Sequence, residues 1–208
     1  MSNYALKLTN ITKKYDDFIL DNVSFNVPKG NIVGLIGENG AGKSTTLNSI
    51  LDIIERDSGD VFILDSEKNK ISNDIREKIG VVFDGNNFPE DLTPQKLNNV
   101  LKAIYSNWEE KKFYELLEKF SLPKNKKIKK FSKGMKMKLS ISVALSHKAE
   151  LLILDEATSG LDPVVRDDIL DILLDFVQEE NNSILMSSHI TSDLEKIAYE
   201  VYLEYNLK

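Results

Sequence analysis

Apolar and polar residues alternate from Val23 to Val27, which predicts a strand over 19–27 with one covered face. The apolar-rich stretch 4–10 reads as a companion strand. Three further runs, at 31–36, 79–83 and 151–154, are continuously apolar and short, and 183–186 ends the same way; each suits a buried strand. Shorter strands are expected at 61–64 and at about 199–204. The turns fall at Pro28-Lys29-Gly30, at Asp57-Ser58-Gly59-Asp60 and at Ser159-Gly160-Leu161-Asp162-Pro163, with polar loop over 65–73. Elsewhere the period changes to that of helices. One helix is expected over 45–54, a short one over 75–78 and a long one over 164–180. Leu97, Val100, Leu101, Ile104 and Tyr105 form one helical stripe, and Phe113, Leu116, Leu117 and Phe120 a second. Pro94 after Thr93 suits a first helical position. Met137, Ile141, Ala144 and Leu145 make a third stripe behind Ser132, a plausible N-cap. Strands alternating with helices, interrupted by a run of helices alone, predict an α/β chain with a helical insertion.

Composition narrows this modestly. The 208 residues are 41% hydrophobic and 29% charged, ordinary for one domain with a sizeable core. No apolar stretch approaches the length that spans a bilayer, and the N-terminus lacks a signal peptide's basic and apolar regions. A cytosolic location is expected. There are no cysteines, which excludes disulfides and cysteine metal sites. A net charge of −6 argues against a general nucleic-acid binder.

Candidate chemistry gathers at strand ends. After the run 31–36 comes Gly37-Glu38-Asn39-Gly40-Ala41-Gly42-Lys43-Ser44-Thr45, which fits the phosphate-loop pattern G-x-x-x-x-G-K-[ST]. Its glycines let successive backbone N–H groups curl round an anion. Lys43 can reach the outer phosphates, and the Ser44 hydroxyl can ligate Mg²⁺. Asp155 and Glu156 end the run 151–154; beside a phosphate loop, Asp155 would hold the metal's water shell and Glu156 would act as general base. Asp84 ends the run 79–83, and His189 follows Ser187-Ser188 at the end of another strand, within reach of a γ-phosphate or attacking water. Tyr15, between the first two strands, could stack on a base or simply pack. The basic run 124–130 reads as a solvated loop, or as a contact to a partner or anionic lipid. His147 reads as a helix-end or surface residue.

In this order, Tyr15, the phosphate loop, Asp84, Phe131-Ser132-Lys133-Gly134-Met135, Asp155-Glu156, Ser159 to Asp162 and His189 resemble the ATP-binding cassette (ABC) ATPases. The resemblance covers nearly the whole chain. It implies a P-loop core sheet with an antiparallel β subdomain and an inserted α-helical subdomain, all in one nucleotide-binding domain. The ATP-binding core would be 1–85 and 146–208, and the helical subdomain about 86–145. It implies ATP and Mg²⁺ as cofactors, with Tyr15 stacking on adenine and Gly37 to Thr45 cradling the phosphates. Ser44, Asp84 and Asp155 would serve the metal, and Lys43, Glu156 and His189 catalysis. Ser132, Gly134 and Met135 would bind ATP held by a second nucleotide-binding subunit, head to tail, in a homodimer or related heterodimer. A separate transmembrane permease would hold the pair at the cytoplasmic face of the membrane, and no nucleic acid is expected.

Three departures stand out. Phe-Ser-Lys-Gly-Met replaces the usual Leu-Ser-Gly-Gly-Gln, a variant similar to those of bacterial ABC-2-type exporters. Asp84 stands where the family has Gln. The chain stops soon after its last strand, where members usually continue. The resemblance implies an ATP-hydrolysing exporter subunit; the alternative is a non-transport ABC ATPase acting on nucleic acid or ribosomes.

Overall fold

The computed structural model describes residues 3–64, 66, 72–85, 87–179, 182–198 and 200–203. Strands β1 (Tyr4–Lys14) and β2 (Ile19–Pro28) form a hairpin, and β4 (Ser58–Ile63) pairs with the other side of β1. All pairs in this three-stranded sheet are antiparallel, in the order β2-β1-β4. The turn expected at Ser58-Gly59-Asp60 is instead the start of β4. Ser58 and Asp60 pair with Thr12 and Thr9 across a register shift in β1. Gly59 makes this possible, because its φ of 94° is one that side chains disfavour and a β-carbon would lie 2.4 Å from the Asn10 carbonyl oxygen.

The second sheet is five-stranded and parallel throughout, in the order β5-β6-β7-β3-β8. Its strands are β3 (Ile32–Ile36), β5 (Ile79–Val82), β6 (Leu151–Asp155), β7 (Ser183–Ser188) and β8 (Glu200–Leu203). The runs of β3, β5 and β6 are apolar without alternation because both faces are covered. Successive residues divide between two cores. Leu152, Leu154, Ile184 and Met186 face one cluster with residues of helices α3 (Pro94–Ile104), α4 (Glu110–Lys119), α5 (Lys133–Ala144) and α6 (Pro163–Gln178). Val33, Leu35, Leu151, Ile153 and Leu185 face the other, which holds Leu47 and Ile50 of α1 (Lys43–Ile50) and the buried side of the antiparallel sheet. Because every strand runs the same way, the loops after β3, β5, β6 and β7 emerge at one edge, where ligands gather in such sheets.

Two short helices complete the order, α2 (Asn73–Arg76), capped by the Ser72 side chain, and α7 (Thr191–Ile197). The helix expected over 45–54 ends earlier, with Leu51 as its C-cap and Asp52 in a left-handed conformation, φ 54°. The basic run is more ordered than a solvated loop: Ile128 is buried, and Lys127 and Lys129 pair with Asp91 at 3.2 and 2.8 Å. His147 is not a surface residue. It is 1% exposed, stacks on Tyr105 at 4.3 Å, and holds its Nδ1 3.0 Å from the Glu77 carbonyl oxygen. Burial pushes its pKa below the ordinary value, against the smaller opposing pull of that carbonyl. The expected strand at about 199–204 is β8 as far as residues 200–203, and Tyr199 and Glu204 lie outside the described residues.

Candidate active site

The phosphate loop leaves β3 after Ile36 and turns back at once, with the Ala41 N–H donating to the Glu38 carbonyl at 3.1 Å. Gly40 and Gly42 have φ of 86° and 107°, and Gly42 is the N-cap of α1. Glycine is the residue that adopts these angles without strain. The crest formed by Glu38, Asn39 and Gly40 is exposed, whereas Ala41, Gly42 and Lys43 are buried and Thr45 half-buried. The loop folds round its own lysine. Lys43 Nζ donates to the carbonyls of Gly37 at 2.7 Å and Glu38 at 3.1 Å, and lies 3.2 Å from Glu156 Oε1. That oxygen is buried and makes no aligned hydrogen bond among the described residues.

The ends of β6 and β7 lock into this arrangement. Asp155 and Ser187 face each other in the parallel ladder. The Ser187 hydroxyl donates to Asp155 Oδ1 at 2.6 Å, and the Ser44 hydroxyl donates to Oδ2 at 2.8 Å. The same Ser187 oxygen accepts from the Glu156 N–H at 3.1 Å, beside the Ser187 carbonyl at 3.2 Å. Glu156 itself sits at φ 53°, a conformation that turns the chain sharply out of the strand. Its Oε2 lies 2.6 Å from His189 Nδ1. A carboxylate only accepts, so Nδ1 carries the hydrogen and Nε2 is left for another partner. Lys43, Ser44, Asp155, Glu156 and His189 therefore form one connected group at the sheet edge. Sequence reasoning did not assign Ser187 a role. The available signal was a pair of hydroxyls closing an apolar strand, since fully buried polar groups require partners.

The remaining candidates lie outside that group. Tyr15 is at the hairpin end, 46% exposed, with its backbone N–H on the Phe18 carbonyl at 2.8 Å and one side of its ring towards Phe18. Ser132 caps α5, accepting from the Met135 N–H at 3.2 Å. Gly134 lets the first turn of α5 approach α6, because a β-carbon there would meet Val165 Cγ1 at 3.2 Å. No hydrogen bond among the described residues joins Ser132, Gly134 or Met135 to the Lys43 group. Asp84 is half-exposed, with its Oδ1 3.1 Å from Lys133 Nζ.

A parallel sheet whose glycine loop leads into a helix, beside a hydroxyl–carboxylate pair and a glutamate at a neighbouring strand end, defines a P-loop nucleotide-binding protein. Comparison with known proteins narrows the class. The ABC transporter family pattern matches residues 20–159. The chain is 34% identical to the ABC transporter ATP-binding protein YtrB of Bacillus subtilis, covering 97% of this chain and 69% of the relative. It is 35% identical to the bacitracin transport ATP-binding protein BcrA of Bacillus licheniformis, covering 94% of this chain and 65% of that one. Among solved structures, the ATP-binding subunit of an ABC transporter superposes with a TM-score of 0.86 at 28% identity, covering 96% of this chain and 85% of the other. The dimeric bacterial cassette MJ0796 superposes with a TM-score of 0.82 at 25% identity, covering 98% and 99%. The chain belongs to the ABC transporter family, and the two sheets with intervening helices are those of its ATP-binding cassettes.

Proposed function

We propose that this chain binds and hydrolyses ATP, with Mg²⁺, as the nucleotide-binding subunit of an exporter. The observation that carries the reading is the setting of Glu156, whose carboxylate lies between Lys43 Nζ at 3.2 Å and His189 Nδ1 at 2.6 Å. The glycine loop supplies backbone N–H groups for the phosphates, and Lys43 exchanges its loop carbonyls for phosphate oxygens. Ser44 and Asp155 present oxygen donors on one side of the loop, the donor type that Mg²⁺ prefers. When bound, the ion neutralises charge on the β- and γ-phosphates. Asp84 engages Lys133 through its Oδ1, and would join these ligands through its other oxygen or by releasing the lysine. Glu156 accepts the proton of the attacking water, and His189 keeps that carboxylate in place while its Nε2 faces the γ-phosphate. Tyr15 offers its exposed ring to the adenine.

Ser132, Gly134 and Met135 serve the nucleotide held by a second subunit, so that two ATPs close a head-to-tail pair and hydrolysis reopens it. Within each subunit, residues 86–145 act as the helical part and 1–85 with 146–208 as the ATP-binding core. The dimeric relative supports the pairing. No helix among the described residues is long and apolar enough to cross a membrane. In this reading the permease is a separate chain, and this one docks at its cytoplasmic face. Export is favoured by the Ser-Lys-Gly-Met variant and by the bacitracin transport relative.

The test is Glu156→Gln. It should bind ATP, release phosphate at least about 100-fold more slowly, and run as a dimer with ATP in gel filtration. Phosphate release at the parental rate would overturn the assignment.

A further inference from the structure

Two of the positions at which the site departs from its family's pattern, Asp84 and Lys133, touch each other. Asp84 follows β5 and Lys133 is the first residue of α5, and their charged groups are 3.1 Å apart. A third segment meets the same ammonium group. A β-carbon on Gly160 would lie 3.3 Å from Lys133 Nζ, so the backbone of the loop after β6 passes directly beneath the lysine. That loop begins at Glu156, and the Ser159 N–H donates to the Glu156 carbonyl at 3.0 Å. The Asp84 loop is fastened to α5 at a second point, where Asn87 Nδ2 donates to Ser140 Oγ at 3.1 Å. Lys133 and Ser140 lie about two helical turns apart on one side of α5. The loop after β5 is therefore laid along the helix, with its outer clamp beside the segment that carries the general base.

We propose that Asp84 is the counter-ion of Lys133 rather than a metal ligand, and that this pair is a positioning device. It holds the loop after β5, the start of α5 and the loop 156–162 in register, and so sets where Glu156 stands. The inference rests on the ATP-hydrolysing reading above. Half-exposed ion pairs add little to stability, about 0–1 kcal/mol. The role is thus one of geometry, and it separates from folding in an experiment.

Asp84→Lys and Lys133→Asp each set like charges against one another, and the swapped double variant restores the ion pair with the summed reach of the two side chains unchanged. Steady-state phosphate release, the Kd of a fluorescent ATP analogue with Mg²⁺ or EDTA, and thermal unfolding are measured for each in the full chain. Each single variant is expected to lower kcat about tenfold with Mg²⁺–nucleotide affinity changed less than about threefold. The melting temperature should stay within about 4 °C, and the double variant should regain most of the lost kcat. Parental turnover in both single variants would overturn the proposal, as would a double variant no better than the worse single one. Loss of the Mg²⁺-dependent part of nucleotide binding in Asp84→Asn would overturn it too, and would return Asp84 to the metal. Failure of the parental chain itself to bind ATP would instead undo the functional reading on which the inference rests.

Discussion

Replacing Ser187 with alanine removes a single oxygen that serves both carboxylate residues of the site. The hydroxyl is fully buried and donates to Asp155 at 2.6 Å, a charge-assisted bond whose loss costs about 1.5–3 kcal/mol. The Glu156 N–H loses its 3.1 Å acceptor but keeps the Ser187 carbonyl at 3.2 Å, so this second loss adds only about 0.5 kcal/mol. The sum is about 2–3.5 kcal/mol. In a chain of this size each kcal/mol lowers the melting temperature by about 2–4 °C, which predicts a fall of about 4–14 °C. Turnover should suffer as well. Glu156 is held in a strained conformation at φ 53° by contacts that include this hydroxyl. Loosening it should lower kcat by about tenfold, with a smaller effect on nucleotide affinity. Thermal unfolding without nucleotide and steady-state phosphate release measure the two effects independently. A melting temperature within about 1 °C of the parent, with unchanged kcat, would refute the view that Ser187 organises the two strand ends.

Two further predictions concern the scaffold. His147 is buried with a lowered pKa, while the unfolded chain titrates near the ordinary 6.5. As pH falls below that value the unfolded state takes up a proton that the folded state resists; stability is therefore full above it and declines towards the folded pKa. His147→Phe should flatten the fall in melting temperature between about pH 7 and pH 5; an unchanged slope would exclude the imidazole as its cause. Gly59→Ala forces a β-carbon to 2.4 Å from the Asn10 carbonyl oxygen at a φ of 94°, and should cost at least about 2 kcal/mol in a denaturant titration. A midpoint equal to the parent's would show that the antiparallel sheet yields there without penalty.

The core was legible where a run had one environment. The stretches 31–36 and 151–154 could be read as buried strands because both faces are covered, and the phosphate loop because its spacing is set by the backbone that must curl round an anion. The glutamate, aspartate and histidine at strand ends were legible for the same reason: a polar residue closing an apolar run needs a purpose. Pairings between distant segments were not legible. Ser187 takes its meaning from Asp155 across the ladder, and Lys133 from Asp84 across the gap between β5 and α5, and no local pattern records either. Gly59 looked like a turn residue because composition shows its freedom of φ but not the bulge opposite that uses it. His147 carried no periodic mark, since its burial depends on Tyr105 arriving from another helix.

The backbone of Glu156 has an evolutionary consequence. A left-handed conformation is one that glycine and asparagine adopt more readily than glutamate, by about 1 kcal/mol or more. Selection for thermostability alone would therefore push this position away from a carboxylic acid. Random libraries screened only for survival on heating should enrich glycine or asparagine at 156 and return well-folded, inert proteins. Under the proposed mechanism, the site's reactivity and the chain's robustness compete at that residue.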